Sequence, residues 1–176
     1  RWVLLVIGTL LLLVGAIALV GAMLPHDHVA AVRVEFRAPP DSVYAALADV
    51  AASATWRSGI DRVDVLSAEE EPLRWREAGR YGSLTFRLDQ EDPPHRRVVR
   101  IDDADQPFGG RWIYEVGPAD GGSILSITEE GEVHNPVFRF MARYIFGYYR
   151  TLEVYTRDLG RHLGEPVEPR RVGPAD

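Results

Sequence analysis

"GGRWIYEVGPADGGSILSITEEGEVHNPVFRF", residues 109–140, decides how this chain is read. Two strand-like runs, 110–117 and 122–133, flank the turn formers of "PADGG", as in an antiparallel hairpin. Just beyond, Asn135 stands where a helix cap is preferred and Pro136 where the first helical turn accepts proline. Phe138, Met141, Ile145, Tyr148, Leu152, Leu159 and Leu163 recur at helical spacing and predict one long helix to about residue 163. Strands run directly into a terminal helix.

Upstream, the same grammar repeats. "VAAVRVEFR" (29–37) puts Val32, Val34 and Phe36 on one face and Arg33, Glu35 and Arg37 on the other, a half-buried strand. In "APPDSVYAALADV" (38–50), Pro40 and Asp41 open a helix on which Val43, Ala46, Leu47 and Val50 share a face, and a short second helix is expected over 51–56. Strand runs follow at 60–67, 73–79, 81–89 and 95–102, with breaks at "EDPP" and "QPFGG". Strands and helices do not alternate, so a doubly wound sheet is excluded and an α+β antiparallel meander is expected. A long amphipathic helix lying across a curved sheet leaves a space between them, a natural place for an apolar ligand.

This pattern resembles the START-like helix-grip superfamily (SRPBCC), in particular its polyketide-cyclase/dehydrase-like branch. The resemblance is carried by "VEFRAPPDSVYAALADVAASATWRSGIDRVDVL" (34–66) and by the stretch quoted first, and covers roughly residues 29–163. It implies a curved antiparallel sheet around a long C-terminal helix. Such domains include lipid and hormone carriers, cyclases and domains with no known ligand, so the likeness implies a fold and leaves the activity open.

Residues 3–24, "VLLVIGTLLLLVGAIALVGAML", carry no charged side chain. As a helix the run reaches about 33 Å, enough for a hydrocarbon core of about 30 Å and longer than the apolar part of an export signal. A retained single-span anchor over residues 1–24 is therefore expected, although Ala16–Ala18 and Val20–Ala22 also fit a cleavage pattern. Arg1 on one side, against no basic residue before Arg33 on the other, favours placing the domain outside the cytoplasm. Gly8, Gly15, Ala18 and Ala22 form a stripe of small side chains suited to a neighbouring membrane helix. Residues 25–28 read as a juxtamembrane link and 164–176, rich in turn formers, as a flexible tail.

Composition excludes several chemistries. Net charge is -6, against a nucleic-acid partner. All 20 basic residues are Arg, so Schiff-base chemistry has no lysine, and with no Cys there is neither thiol nucleophile nor disulfide. His26, Asp27 and His28 could face one metal ion but read as an ordinary polar link, and His95, His134 and His162 lack metal-ligand spacing, so no metal or other cofactor is expected. There is no Gly-x-Ser-x-Gly. Glu77, Asp49, Arg57 and Tyr81 are the polar residues nearest the expected interior and would supply any acid–base chemistry. Glu129, Glu130 and Glu132 read as a solvated strand end. Trp56, Trp75, Phe86, Trp112, Tyr114 and Tyr148 serve either as a ligand-lining set or as core packing, one wall doing both.

Two functions remain. The favoured expectation is a non-enzymatic accessory subunit of a larger membrane complex, held by its anchor against neighbouring helices. The alternative is a tethered binding protein for an apolar molecule such as a lipid, quinone or pigment, with a cyclase or dehydratase a more distant third.

Overall fold

The computed structural model describes residues 1–67, 72–80 and 82–173. Its elements are α1 (Trp2–Met23), β1 (Asp27–Phe36), α2 (Pro40–Ala48), a 3₁₀ turn (Ala52–Thr55), β2 (Ile60–Ser67), β3 (Arg74–Gly79), β4 (Gly82–Asp92), β5 (Arg96–Ile101), β6 (Phe108–Ala119), β7 (Gly122–Val133), α3 (Pro136–Met141), a π-helical turn (Ala142–Phe146), α4 (Arg150–His162) and β8 (Arg170–Val172). The strands form one antiparallel sheet in the order β2-β3-β4-β5-β6-β7-β1-β8. The meander and the α+β class expected from the sequence are both present.

Alternation builds the core. Ala30, Val32, Val34 and Phe36 of β1 are buried beside Leu125 and Ile127 of β7, with Val32 opposite Ile127 and Val34 opposite Leu125. Tyr114 and Val116 of β6 continue this face, and Leu152, Tyr155 and Leu159 of α4 complete one cluster with Val43, Tyr44 and Leu47 of α2. Fully burying a Leu or Val contributes about 1.5–3 kcal/mol relative to exposure. Burial of Leu152 and Leu159 of α4 against the sheet therefore contributes several kcal/mol of cohesion.

The single long C-terminal helix is corrected to two helices. Asn135 caps α3 as expected, accepting from the Val137 and Phe138 amides through Oδ1. The helix then widens, the Gly147 amide bonding back to the Ala142 carbonyl, and Gly147 turns at φ 73°, where only glycine sits without strain. The break lets α3 pack on α1 while α4 packs on the sheet. Phe138 and Ile145 of the expected stripe consequently face outward, at 45% and 58% exposure.

The boundary at residue 28 also moves. The strand starts at Asp27, and His28 is paired in register with Gly131. Gly21, near the end of α1, meets α3: a Cβ there would fall 1.8 Å from the Pro136 carbonyl oxygen. Arg139, 5% exposed, donates through Nη1 to the Leu24 carbonyl at 2.9 Å. Most of the rest of α1 is exposed, and the helix is long and apolar enough to cross a membrane, a property shared by anchors and signal sequences.

The segment read as a flexible tail is attached up to residue 173. Arg170–Val172 pair with Ala31–Arg33, and Glu165 accepts from the Arg37 and Ala38 amides at 2.7 and 2.8 Å. Turn-former composition missed this because the attachment depends on a carboxylate meeting two backbone donors left free where β1 ends. Donation from Arg37, then from Ala38, outweighs partial burial and holds the Glu165 carboxyl below its ordinary 4.5. Because the folded value is the lower one, this stabilisation is complete above pH 4.5 and fades as the pH falls through the depressed value. Glu165→Ala should lower stability by about 1–2 kcal/mol at pH 7, with the gap to the native chain closing in acid. Unfolding curves at pH 7 and pH 3 check both parts, and an equal gap at both would refute the assignment.

Candidate functional site in the sheet–helix interior

The space between sheet and α4 is nearly filled. A cavity of about 30 Å³ remains, room for a water or two. Leu47, Val50, Trp56, Trp75 and Val99 supply its apolar wall, and Ser53, Arg57, Glu77, Arg97, Tyr114 and Tyr155 its polar one. A larger surface hollow of about 380 Å³ lies between the β6–β7 turn and Glu165–Val167, outside this interior.

Local structure explains the placement. In β3 the alternation turns Trp75 and Glu77 inward and Arg74 and Arg76 outward. Arg57 reaches in from the loop after the 3₁₀ turn, its Nη1 2.5 Å from Glu77 Oε1, and Trp75 Nε1 donates to the same oxygen at 3.1 Å. The Arg57 guanidinium lies 5.1 Å from the Tyr155 ring centroid. Burial works against its charge, but Glu77 and the neighbouring tyrosines outweigh that and hold its pKa above the ordinary value. Burial pushes the Tyr114 and Tyr155 hydroxyls upward, so both stay protonated at neutral pH. The loop is clasped to α4: Ser58 donates through its amide and Oγ to Asp158, which is 1% exposed and also holds Arg161.

Arg97 stands apart. It is 2% exposed and reaches Glu91 through Nη1 at 2.8 Å. Its Nη2 is buried without a hydrogen-bond partner among the described residues. A buried donor left unmade costs about 1–3 kcal/mol, more when charged. An Arg at this position is therefore expensive for packing alone.

Of the six aromatics expected to line the interior, Trp56, Trp75 and Tyr114 do so. Phe86 instead stacks on Trp75 at 5.8 Å, and Trp112 packs edge-on against Tyr155 at 5.5 Å. Tyr148 stacks on His28 at 3.9 Å, away from the cavity. Glu77 and Arg57 reach the cavity, whereas Asp49 is exposed and accepts from the Ala52 amide; Tyr81 lies outside the described residues. Glu129 corrects the solvated-end reading: His28 Nε2 lies 3.0 Å from its Oε1 and Trp112 Nε1 2.9 Å from its Oε2. A side-chain carbon at Gly8 or Gly15 would meet nothing within 4 Å, Ala22 is exposed, Ala18 is half-buried, and Gly21, outside the predicted stripe, makes the close approach. Among the described residues no cluster of His, Asp or Glu could hold a metal.

Sequence reasoning missed Tyr155 and Arg97. Tyr155 falls on the stripe between Leu152 and Leu159, and Arg97 alternates onto the same strand face as Val99. Periodicity marked both positions; their polarity hid them.

Removing one partner of the buried pair should expose its cost. Glu77→Gln leaves Arg57 buried beside a neutral amide and should destabilise by about 3 kcal/mol, while Arg57→Met with Glu77→Gln should recover most of that. Thermal or urea unfolding in detergent reads both; a double variant no better than the single would show that the pair is not the source.

Comparison with known proteins agrees with the architecture. The START superfamily protein of Mycobacterium smegmatis is 16% identical over 78% of this chain and 97% of its own, with a TM-score of 0.63. Norcoclaurine synthase of Thalictrum flavum is 12% identical over 79% of this chain and 87% of its own, at 0.63. The di-domain ARO/CYC StfQ of the steffimycin biosynthetic pathway is 11% identical over 79% of this chain and 52% of its own, at 0.58. A search of curated protein sequences finds no match. The family described as "polyketide cyclase / dehydrase and lipid transport" matches residues 27–152, all of the sheet from β1 to β7 and the start of α4, and the chain belongs to it.

Proposed function

We propose that this protein is a membrane-tethered binding module that takes a compact, largely apolar molecule into the sheet–α4 interior and receives its oxygen-bearing end on Arg97. The observation that carries the reading is the unpartnered, buried Nη2 of Arg97 beside a cavity of mixed apolar and polar lining. Perturbed, desolvated charges gathered in one cleft favour a functional site over plain packing. A ligand larger than a few atoms must displace something, and Trp56 with the Ala52–Thr55 turn is the wall held by the fewest strand bonds. Binding is favoured over turnover because the one carboxylate lining the cavity already has Oε1 committed to Arg57 and Trp75. The cyclase and synthase named among the similar structures keep an acid–base activity in view as the alternative.

A second reading has one observation of its own. A side-chain carbon at Gly8 or Gly15 would meet nothing within 4 Å, while α3 meets α1 at Gly21; an uncovered N-terminal part suits a helix from another protein and an accessory role in a membrane complex, with the domain on the outer face. Mild-detergent pull-down of the native chain and of Gly15→Leu tests it, with stoichiometric partners expected only for the native chain.

For the binding reading, native mass spectrometry of the full chain purified in mild detergent should reveal a bound small molecule that Arg97→Met loses. The variant should melt at the native temperature or above it, since an unmet buried charge is gone. An adduct retained by Arg97→Met, or empty native protein together with a lowered melting temperature in the variant, would assign Arg97 to structure instead.

A further inference from the structure

We infer that Pro136–Phe146 is a membrane-docking element, lying flat in the headgroup layer of the bilayer that α1 enters. The inference rests on α1 being a span and is independent of what the interior binds.

Depth comes from packing. A 22-residue helix is about 33 Å long and covers a hydrocarbon core of about 30 Å, so its last turn sits near the core's edge. That turn touches α3 directly, Gly21 lying against Pro136 and the Leu24 carbonyl receiving Arg139. Side chains displayed by α3 and the π-helical turn are therefore held at the depth where lipid tails meet headgroups.

Those side chains suit that depth. Phe138, Tyr144, Ile145 and Phe146 are 45%, 59%, 58% and 54% exposed. Outside α1, the other exposed large hydrophobic residues among the described residues are Val29 on β1 and the adjacent Val65 and Leu66 on β2. Four such residues within nine positions form the main uncovered apolar patch of the folded domain, and aromatic rings favour the membrane interface.

Charge selects the occupant. The chain carries a net -6, yet residues 133–152 contain no Asp or Glu and three Arg, at 139, 143 and 150. Arg143 and Arg150 are exposed beside the aromatic patch, where guanidinium groups meet lipid phosphates. An aromatic patch with arginines at its edge, fixed to the end of an apolar helix, matches a bilayer surface better than an apolar protein groove.

The native chain has no cysteine, so single labels can be placed without background. Leu12→Cys, Ile145→Cys and Asp120→Cys would each carry a nitroxide in the full chain, reconstituted in vesicles of phosphatidylcholine and phosphatidylglycerol. Asp120 sits at the far end of the twelve-residue β7, about 40 Å from α3. Collision with oxygen, which partitions into lipid, is compared with collision with a water-soluble nickel chelate. Labels at 12 and 145 should favour oxygen and the label at 120 nickel. A label at 145 that behaves like the one at 120, while 12 remains in lipid, overturns the docking and leaves the span intact. Shielding of 145 from both reagents means protein covers the patch and also overturns it. A label at 12 facing water overturns the span and the docking together.

Discussion

Everything in this fold depends on one contact, the laying of α4 across the concave face of the sheet. Leu152 and Leu159 are fully buried there, with Tyr155 between them. No hydrophobic face of either element is viable in water without the other. The contact also decides what space is left inside. Because Tyr155 and the two facing tryptophans are large, little room survives, and the polar groups among them are held in a medium where each charge needs a partner. Arg57 has one in Glu77. Arg97 is half provided for, by a carboxylate that also accepts from the Tyr44 hydroxyl.

Two ends of the interior are built differently. Around Arg57 the contacts are short, charged and closed by the Ser58–Asp158 clasp. Around His28 they are flatter: the imidazole lies on Tyr148, and Glu129 joins it to Trp112, whose ring reaches Tyr155. Gly131 admits this arrangement, since a Cβ there would stand 2.2 Å from the His28 ring. Trp112 and Tyr155 thus connect the two ends, by a hydrogen bond to Glu129 on one side and by ring contacts on the other.

How much of this the sequence disclosed depended on the range of the forces involved. Period-two alternation is local and marked every strand from β1 to β7 within a few residues, and the Asn135–Pro136 pair marked the start of α3. Gly147 escaped notice because the apolar spacing happens to stay in phase across the break, so periodicity continued where the backbone did not. The attachment of the tail, the role of Glu129 and the burial of Arg97 share a different cause. Each depends on a partner far along the chain (Glu165 on Arg37, Glu129 on His28 and Trp112, Arg97 on the fold around it), and no local pattern encodes such a meeting. The aromatics were found as a set, but which three face the cavity is settled by strand register, which moves a side chain from one surface to the other with a one-residue shift.

Three residues, Leu24 to His26, join α1 to the first strand, and two of them are tied down: the Leu24 carbonyl by Arg139, the His26 carbonyl by the Val133 amide. A connection of this kind has no slack. The sheet is thereby held close to the end of α1, on an arm three residues long with two of its carbonyls already engaged.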